Sequence, residues 1–351
     1  MAKKKSFGVK LFRSILIIFL ALAAWGGWIA YQNLIKNNVK LDGKKSAFFY
    51  VKTNSTYQEL LNDLQDQGII INLGSFDWLA RKLNLDKEFK PGRYRISPKM
   101  TNRQIINMIK KGKQEKVTFT FNYTDRTTEQ IIEKISTKLE ISSNELEAFF
   151  NDEAKLLEMG FNKETVRALF LPKTYELNWN TSLKDFLKLI ETNYKNFWTI
   201  ERKEKAKKMN YSEAEIITLA SIVQCESTIK SEQCKIAGVY LNRIHKKMQL
   251  QADPTLIFAS GNFNTHRVLN ADKKIESPYN TYKYFGLPPG PICLPYNQAI
   301  DAVLNHEKHN YFFFCAKPDL KGYSNFSVSY AEHKKFAEAY QKEMDRRGIK
   351  R

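Results

Sequence analysis

The chain has 351 residues, of which 43% are hydrophobic and 26% charged, with a formal net charge of +19. That length can hold two domains, each with its own core, and the composition is that of a folded globular chain rather than a disordered one. So large a positive charge calls for an acidic partner, and nucleic acid is the default reading.

The N-terminus argues against a genome. Lys3, Lys4, Lys5, Lys10 and Arg13 precede a stretch, 14–32, with no charged residue. Its length suits one bilayer-spanning helix, and Trp25, Trp28 and Tyr31 gather at its far end as an interfacial belt would. Residues 1–13 then form a basic cytoplasmic tail, 14–32 a single-pass anchor in the cytoplasmic (inner) membrane, and the rest is exported to the periplasm or outside. A cleaved signal peptide, with Ala21-Leu22-Ala23 as processing site, would end its apolar core too early. A basic exported domain near a membrane faces acidic head groups or an acidic polymer. The four cysteines and five histidines have no metal-ligand spacing. Disulfides are permitted in that compartment, and buried free thiols are equally compatible.

Residues 45–115 read as a small mixed module. A strand covers 48–51, and Ser55 with Gln58 has capping-box spacing before Leu60, Leu61 and Leu64, a stripe that ends at Gly68. A second helix starts near Ser75 with Phe76, Leu79 and Leu83. Pro91-Gly92 turns into a strand around Tyr94 and Ile96. Thr101 and Gln104 repeat the capping spacing before Ile105, Ile106, Ile109 and Gly112. One small sheet covered by helices on one side fits this pattern, and it offers no acid–base constellation. Val117, Phe119 and Phe121 then alternate with threonines as a half-buried strand.

Residues 124–210 read as helices, with cap spacings at Thr127/Gln130 and Ser142/Glu145, an amphipathic stretch at 186–197, and a solvated basic run at 202–208. Ser212 and Glu215 open another helix. Ile216, Ile217, Leu219, Ala220, Ile222 and Val223 make it apolar on nearly every face, so it is buried. Glu226 continues the stripe of Leu219 and Val223. Helix geometry leaves two readings open: a last-turn glutamate that reaches solvent, or a general acid whose carboxyl pKa is raised by burial. Ser231 caps a following helix with Ile236, Val239, Tyr240 and Ile244. Beyond it, 251–254, 277–282 and 286–291 form rigid loops rich in Pro, Gly, Tyr and Asn, either structural turns or a sugar-binding surface.

These residues resemble the endolytic murein transglycosylases, the YceG-like family. The likeness is carried by Ala220-Ser221-Ile222-Val223-x-x-Glu226-Ser227, Val239-x-Leu241-Asn242-Arg243 and Leu250-Gln251-x-Asp253-Pro254-Thr255. Tyr279-Asn280-Thr281-Tyr282 and 286–292 extend it, as do 171–175 and the stretch from Asn325-Phe326-Ser327 to His333. The resemblance implies an α+β fold: the anchor, a LysM-like α/β module at 45–115, and a mainly helical catalytic domain, 117–351, whose C-terminal part is loop-rich. It puts the catalytic acid at Glu226. Glycan contacts are expected at Ser227, Gln251, Asp253, Tyr279, Asn280, Tyr282 and Asn325, with no metal and no cofactor. Two positions depart from the family pattern: Gln224 replaces an acid two residues before Glu226, and Lys173 stands where Asp is frequent.

The implied reaction is cleavage of the MurNAc-β-1,4-GlcNAc bond of nascent peptidoglycan strands to give 1,6-anhydro ends and stop elongation. Peptidoglycan synthases are candidate partners. Two rival readings remain. One is a two-carboxylate peptidoglycan hydrolase with Asp253 or Glu276 as second acid. The other is a non-catalytic wall-binding scaffold.

Overall fold

The computed structural model describes residues 2–265 and 268–348. The ends of the chain as placed from sequence, at Met1 and Arg351, lie outside them. The fold mixes many helices with few short strands. It divides into two compact units, Met1–Val117 with Glu176–Thr181, and Thr118–Tyr175 with Ser182–Arg351.

The first unit opens with α1 (Ala2–Ala30). Its segment Val9–Ala30 has mean hydropathy 1.9, long and apolar enough to cross a membrane. Then come β1 (Ala47–Val51), α2 (Tyr57–Asp66), α3 (Leu73–Lys82), β2 (Gly92–Ile96) and α4 (Asn102–Lys111). The two strands pair antiparallel, with Phe49 opposite Tyr94. Both side chains are fully buried, in one core with Leu60, Leu64, Phe76 and Ile105. Two helix starts differ from the sequence reading. The capping box of α2 is Thr56 with Glu59, one residue later than Ser55 with Gln58; the Ser55 hydroxyl instead donates to the Lys52 carbonyl. α3 begins at Leu73 because Asn72 accepts from the Ser75 N–H, so Ser75 lies inside the first turn.

From β3 (Val117–Thr120) the chain runs through α5 (Thr128–Ser136), α6 (Ser143–Asn151), α7 (Glu153–Glu158), β4 (Thr174–Leu177), α8 (Leu183–Phe197) and α9 (Ile200–Lys208). The caps expected at Thr127 and Ser142 are both formed. Next come α10 (Glu213–Glu226), α11 (Lys230–His245), α12 (Asp253–Ser260), α13 (Asn297–Leu304), β5 (Phe313–Ala316), β6 (Ser324–Ser327) and α14 (Tyr330–Arg346).

α10 is the centre of the second unit. Ser212 and Glu215 cap it reciprocally, and every residue from Ile216 to Gln224 is buried. It touches α9, α11, α12 and α13. Each large aliphatic side chain so enclosed contributes about 1.5–3 kcal/mol. Two further corrections fall here. Ser231 does not cap α11, which starts one residue earlier behind Ile229; the Gln233 amide reaches back to the Ser227 carbonyl, and buried Glu232 accepts from the Ser324 N–H. Residues 251–254 are not a free loop either. Asp253 and Pro254 form the first turn of α12, where proline's missing N–H costs nothing.

Candidate active site

Glu226 is the last residue of α10, where the helix runs out of the buried core and its side chain meets a cavity of about 310 Å³. Burial pushes its carboxyl pKa from the ordinary 4.5 up to about 7, and the negative charge of Asp253 adds to the rise. A hydrogen bond opposes them: the Tyr240 hydroxyl donates to Glu226 Oε1 at 2.7 Å. Tyr240 is 1% exposed, on the face of α11 turned to α10, and stacks edge-on against Phe314. With Oε1 accepting from Tyr240, Oε2 is left to carry the acid proton. The arrangement can hold a proton near neutrality, release it and accept one back.

Another wall is built by the start of α12 and the turn carrying Tyr282, tied together below the surface. Thr281 Oγ1 accepts from the Ala252 N–H at 3.0 Å and lies 2.8 Å from Thr255 Oγ1, both in buried positions. The Gln251 N–H donates to the Thr281 carbonyl. This tie sets Asp253 beside Tyr282, whose hydroxyl donates to Asp253 Oδ1 at 2.5 Å. Gln251 holds a left-handed backbone, φ 52°, a strain that recurs at functional sites. Its side-chain oxygen accepts from Arg243 at 2.7 Å, while the same guanidinium donates to the carbonyls of Gln249 and Phe312. Phe313, Phe314, Tyr330 and His333 complete the cavity with ring surfaces. Burial, helped by repulsion from Arg243, holds the His333 pKa below its usual value, so the ring is neutral at pH 7.

Of the residues expected at the site, Glu226, Gln251, Asp253 and Tyr282 meet at this cavity. The other four do not line it. The Ser227 hydroxyl accepts from the Ile229 N–H and closes the α10–α11 turn. Tyr279 packs on Phe258 at 4.6 Å, and its oxygen accepts from Arg167. Asn280 is fully buried; its amide donates to the carbonyls of Lys273 and Ile275 and its oxygen accepts from the Tyr282 N–H. Asn325 sits in β6 opposite Cys315. Glu276 is exposed and paired with Lys283, away from the cavity. The loop 286–291 is also structural: a Cβ on Gly290 would lie 2.1 Å from the Glu164 carbonyl oxygen, and the Pro291 carbonyl accepts from Arg167.

Tyr240 and Arg243 also line the cavity, and neither is among the residues expected there. Apolar periodicity marks Tyr240 only as core. Arg243 falls within a quoted motif, yet the contact to Gln251 that gives it a role depends on where the next loop folds. Among the described residues no group of three His, Cys, Asp or Glu could hold a metal ion.

A half-buried acid of raised pKa thus sits at the end of a buried helix and faces a cavity with aromatic walls, an arrangement that can exchange a proton. The YceG-like family model matches residues 49–339. The chain belongs to the YceG-like family. It is 30% identical over 331 residues to a Bacillus subtilis protein named endolytic murein transglycosylase, covering 90% of each chain. A Streptococcus pneumoniae protein of the same name is 26% identical over 88% of this chain, which spans 61% of that relative's length. The 2.6 Å crystal structure of a yceG-like protein from Listeria monocytogenes is similar, with TM-score 0.55, 25% identity, and coverage of 84% of this chain and 99% of that one.

Proposed function

We propose that this chain is an endolytic murein transglycosylase, with Glu226 serving first as acid and then as base. The observation that carries the reading is the Glu226 carboxyl with its pKa raised to about 7, bonded to Tyr240 and open to the cavity. Protonated Glu226 gives its proton to the glycosidic oxygen as the MurNAc-β-1,4-GlcNAc bond breaks. The carboxylate then takes the proton of the same muramoyl residue's C6 hydroxyl as that oxygen closes on C1. The product is a 1,6-anhydro end, and the strand can no longer be extended there. The names of the Bacillus and Streptococcus relatives support the substrate class.

One observation favours a second reading. Asp253 lies on the same cavity and raises the Glu226 pKa by its charge, so a two-carboxylate hydrolase with water as nucleophile has a candidate partner. Glu276 has no such place. Tyr282 donates to Asp253, which suits a carboxylate that positions substrate or a loop.

Residues 14–32 act as a retained anchor behind a cytoplasmic basic tail, the chain beyond it is exported, and the LysM-like module at 45–115 docks glycan without chemistry. Alkaline phosphatase fused at the C-terminus is active in that topology and silent in the reverse one. For the reaction itself, isolated murein strands are incubated with the full-length chain and their length distribution is followed. Internal cleavage should shorten strands, and Glu226→Gln should slow it by at least about 10²–10⁴-fold. Release of sugars from strand ends alone, or an active Glu226→Gln protein, would refute the assignment.

A further inference from the structure

Cys225 and Cys293 are 68 positions apart in sequence, yet their sulfur atoms lie 3.5 Å apart. Cys225 is on the last turn of α10, beside Glu226, and keeps part of its surface accessible, whereas Cys293 is buried. The segment around Cys293 is already pinned to α10. The Ile292 N–H donates to Ser221 Oγ at 3.0 Å, and the Cys293 thiol approaches the Ser221 carbonyl at 3.4 Å. A disulfide needs its sulfurs at about 2.05 Å. The gap to close is about 1.5 Å, within reach of side-chain rotation on backbones that hydrogen bonds already hold together.

We propose that Cys225 and Cys293 form an oxidation site that closes to an intramolecular disulfide, taking a small-molecule or protein disulfide as oxidant. The Cys225 thiolate attacks one sulfur of the oxidant, whose other sulfur leaves as a thiolate. Cys293, giving up its proton, then attacks Cys225 Sγ and expels the second thiolate. Two protein thiols are oxidised, one disulfide is reduced to two thiols, and the two protein protons end on those thiols. The order follows from the environments. The contact with Cys293 holds the Cys225 thiol below its ordinary pKa, while burial raises that of Cys293, and the thiolate is the nucleophile. The bond would staple the end of α10, which bears Glu226, to the segment leading into α13. Cys234, on α11, and Cys315, in β5, have no sulfur neighbour among the described residues.

That the pair meets an oxidant in the cell rests on the exported topology proposed above; the chemistry of the pair does not. The full-length chain in detergent is therefore treated with excess oxidised glutathione, alkylated, digested, and mapped by mass spectrometry with and without reductant. The expected result is a Cys225–Cys293 linked peptide that reductant separates, with loss of two of the four alkylatable thiols. Cys293→Ser should leave Cys225 carrying glutathione and give no linked peptide. If that variant does not fold, the wild-type linkage decides alone. A wild-type chain that keeps both thiols free, or carries glutathione on each, or links either to Cys234 or Cys315, would overturn the proposal. No substrate enters the experiment, so its failure leaves the transglycosylase reading standing, and failure of that reading leaves the linkage.

Discussion

The proposed acid, Glu226, links reactivity to stability. Its folded pKa of about 7 lies above the ordinary 4.5, so between those values the folded chain keeps a proton that the unfolded chain has released. The stabilisation is therefore complete below about pH 4.5 and is lost as pH rises to about 7, a change of about 3 kcal/mol. Glu226→Gln does not titrate. In urea unfolding it should be more stable than wild type at pH 8, by up to about 3 kcal/mol, with the difference fading toward pH 4.5. A difference independent of pH would mean that the carboxyl is not desolvated. Its two neighbours act in opposite directions. Tyr240→Phe removes a hydrogen bond that lowers the pKa, so the alkaline limb of activity should move to higher pH. Asp253→Asn removes a like charge, so the limb should move lower. Shifts in the same direction for both variants would contradict this electrostatic picture. The placing of Glu226 on an apolar stripe was legible in the sequence, whereas helix geometry left open whether it reaches solvent or acts as an acid. Its hydrogen-bond partner was not legible, since Tyr240 obeys the same periodicity as a core residue and only the packing of α11 on α10 reveals its hydroxyl. Asn280 misled in the other direction: an amide beside two tyrosines reads as sugar-binding, and burial turned it to backbone carbonyls.

Among the elements, α10 and the buried tie between residues 251–255 and 280–282 position the cavity's Glu226, Asp253 and Tyr282. Thr281→Val would leave the Ala252 N–H without its acceptor and remove a partner of the Thr255 hydroxyl. An unsatisfied buried donor costs about 1–3 kcal/mol, so thermal or urea unfolding should show a loss of that size. Activity should fall with it, because Asp253 and Tyr282 are set by the same tie. Full stability and activity in Thr281→Val would deny the tie its role. Caps and helix interiors were readable: Thr101, Thr127, Ser142 and Ser212 all cap as their spacing implies. Helix starts with competing candidates were not. Thr56 displaced Ser55 by one residue because its side chain and Glu59 bond reciprocally. α11 has no side-chain cap because its N-cap residue is Ile229, whose side chain offers no acceptor. In the 286–291 loop, Gly290 is needed for space against the Glu164 carbonyl.

For the whole molecule, the membrane-length helix was visible in the uncharged run after the basic tail, and the module's strands and helices in their periodicities. The cavity was not, because its walls come from α10, α11, the 251–282 loops and the C-terminal strands and helix, separated by up to about a hundred residues. The second unit alone holds every residue of that cavity, and the account rests on one glutamate there acting without water as nucleophile. The most direct measurement is cleavage of isolated murein strands in heavy-oxygen water, with mass spectrometry of the new ends. Closure by the C6 hydroxyl adds no water, so the account predicts muramoyl ends lighter by one water than hydrolytic ends and free of label. Labelled reducing ends as the main product would contradict it and make water the nucleophile, as in a two-carboxylate hydrolase.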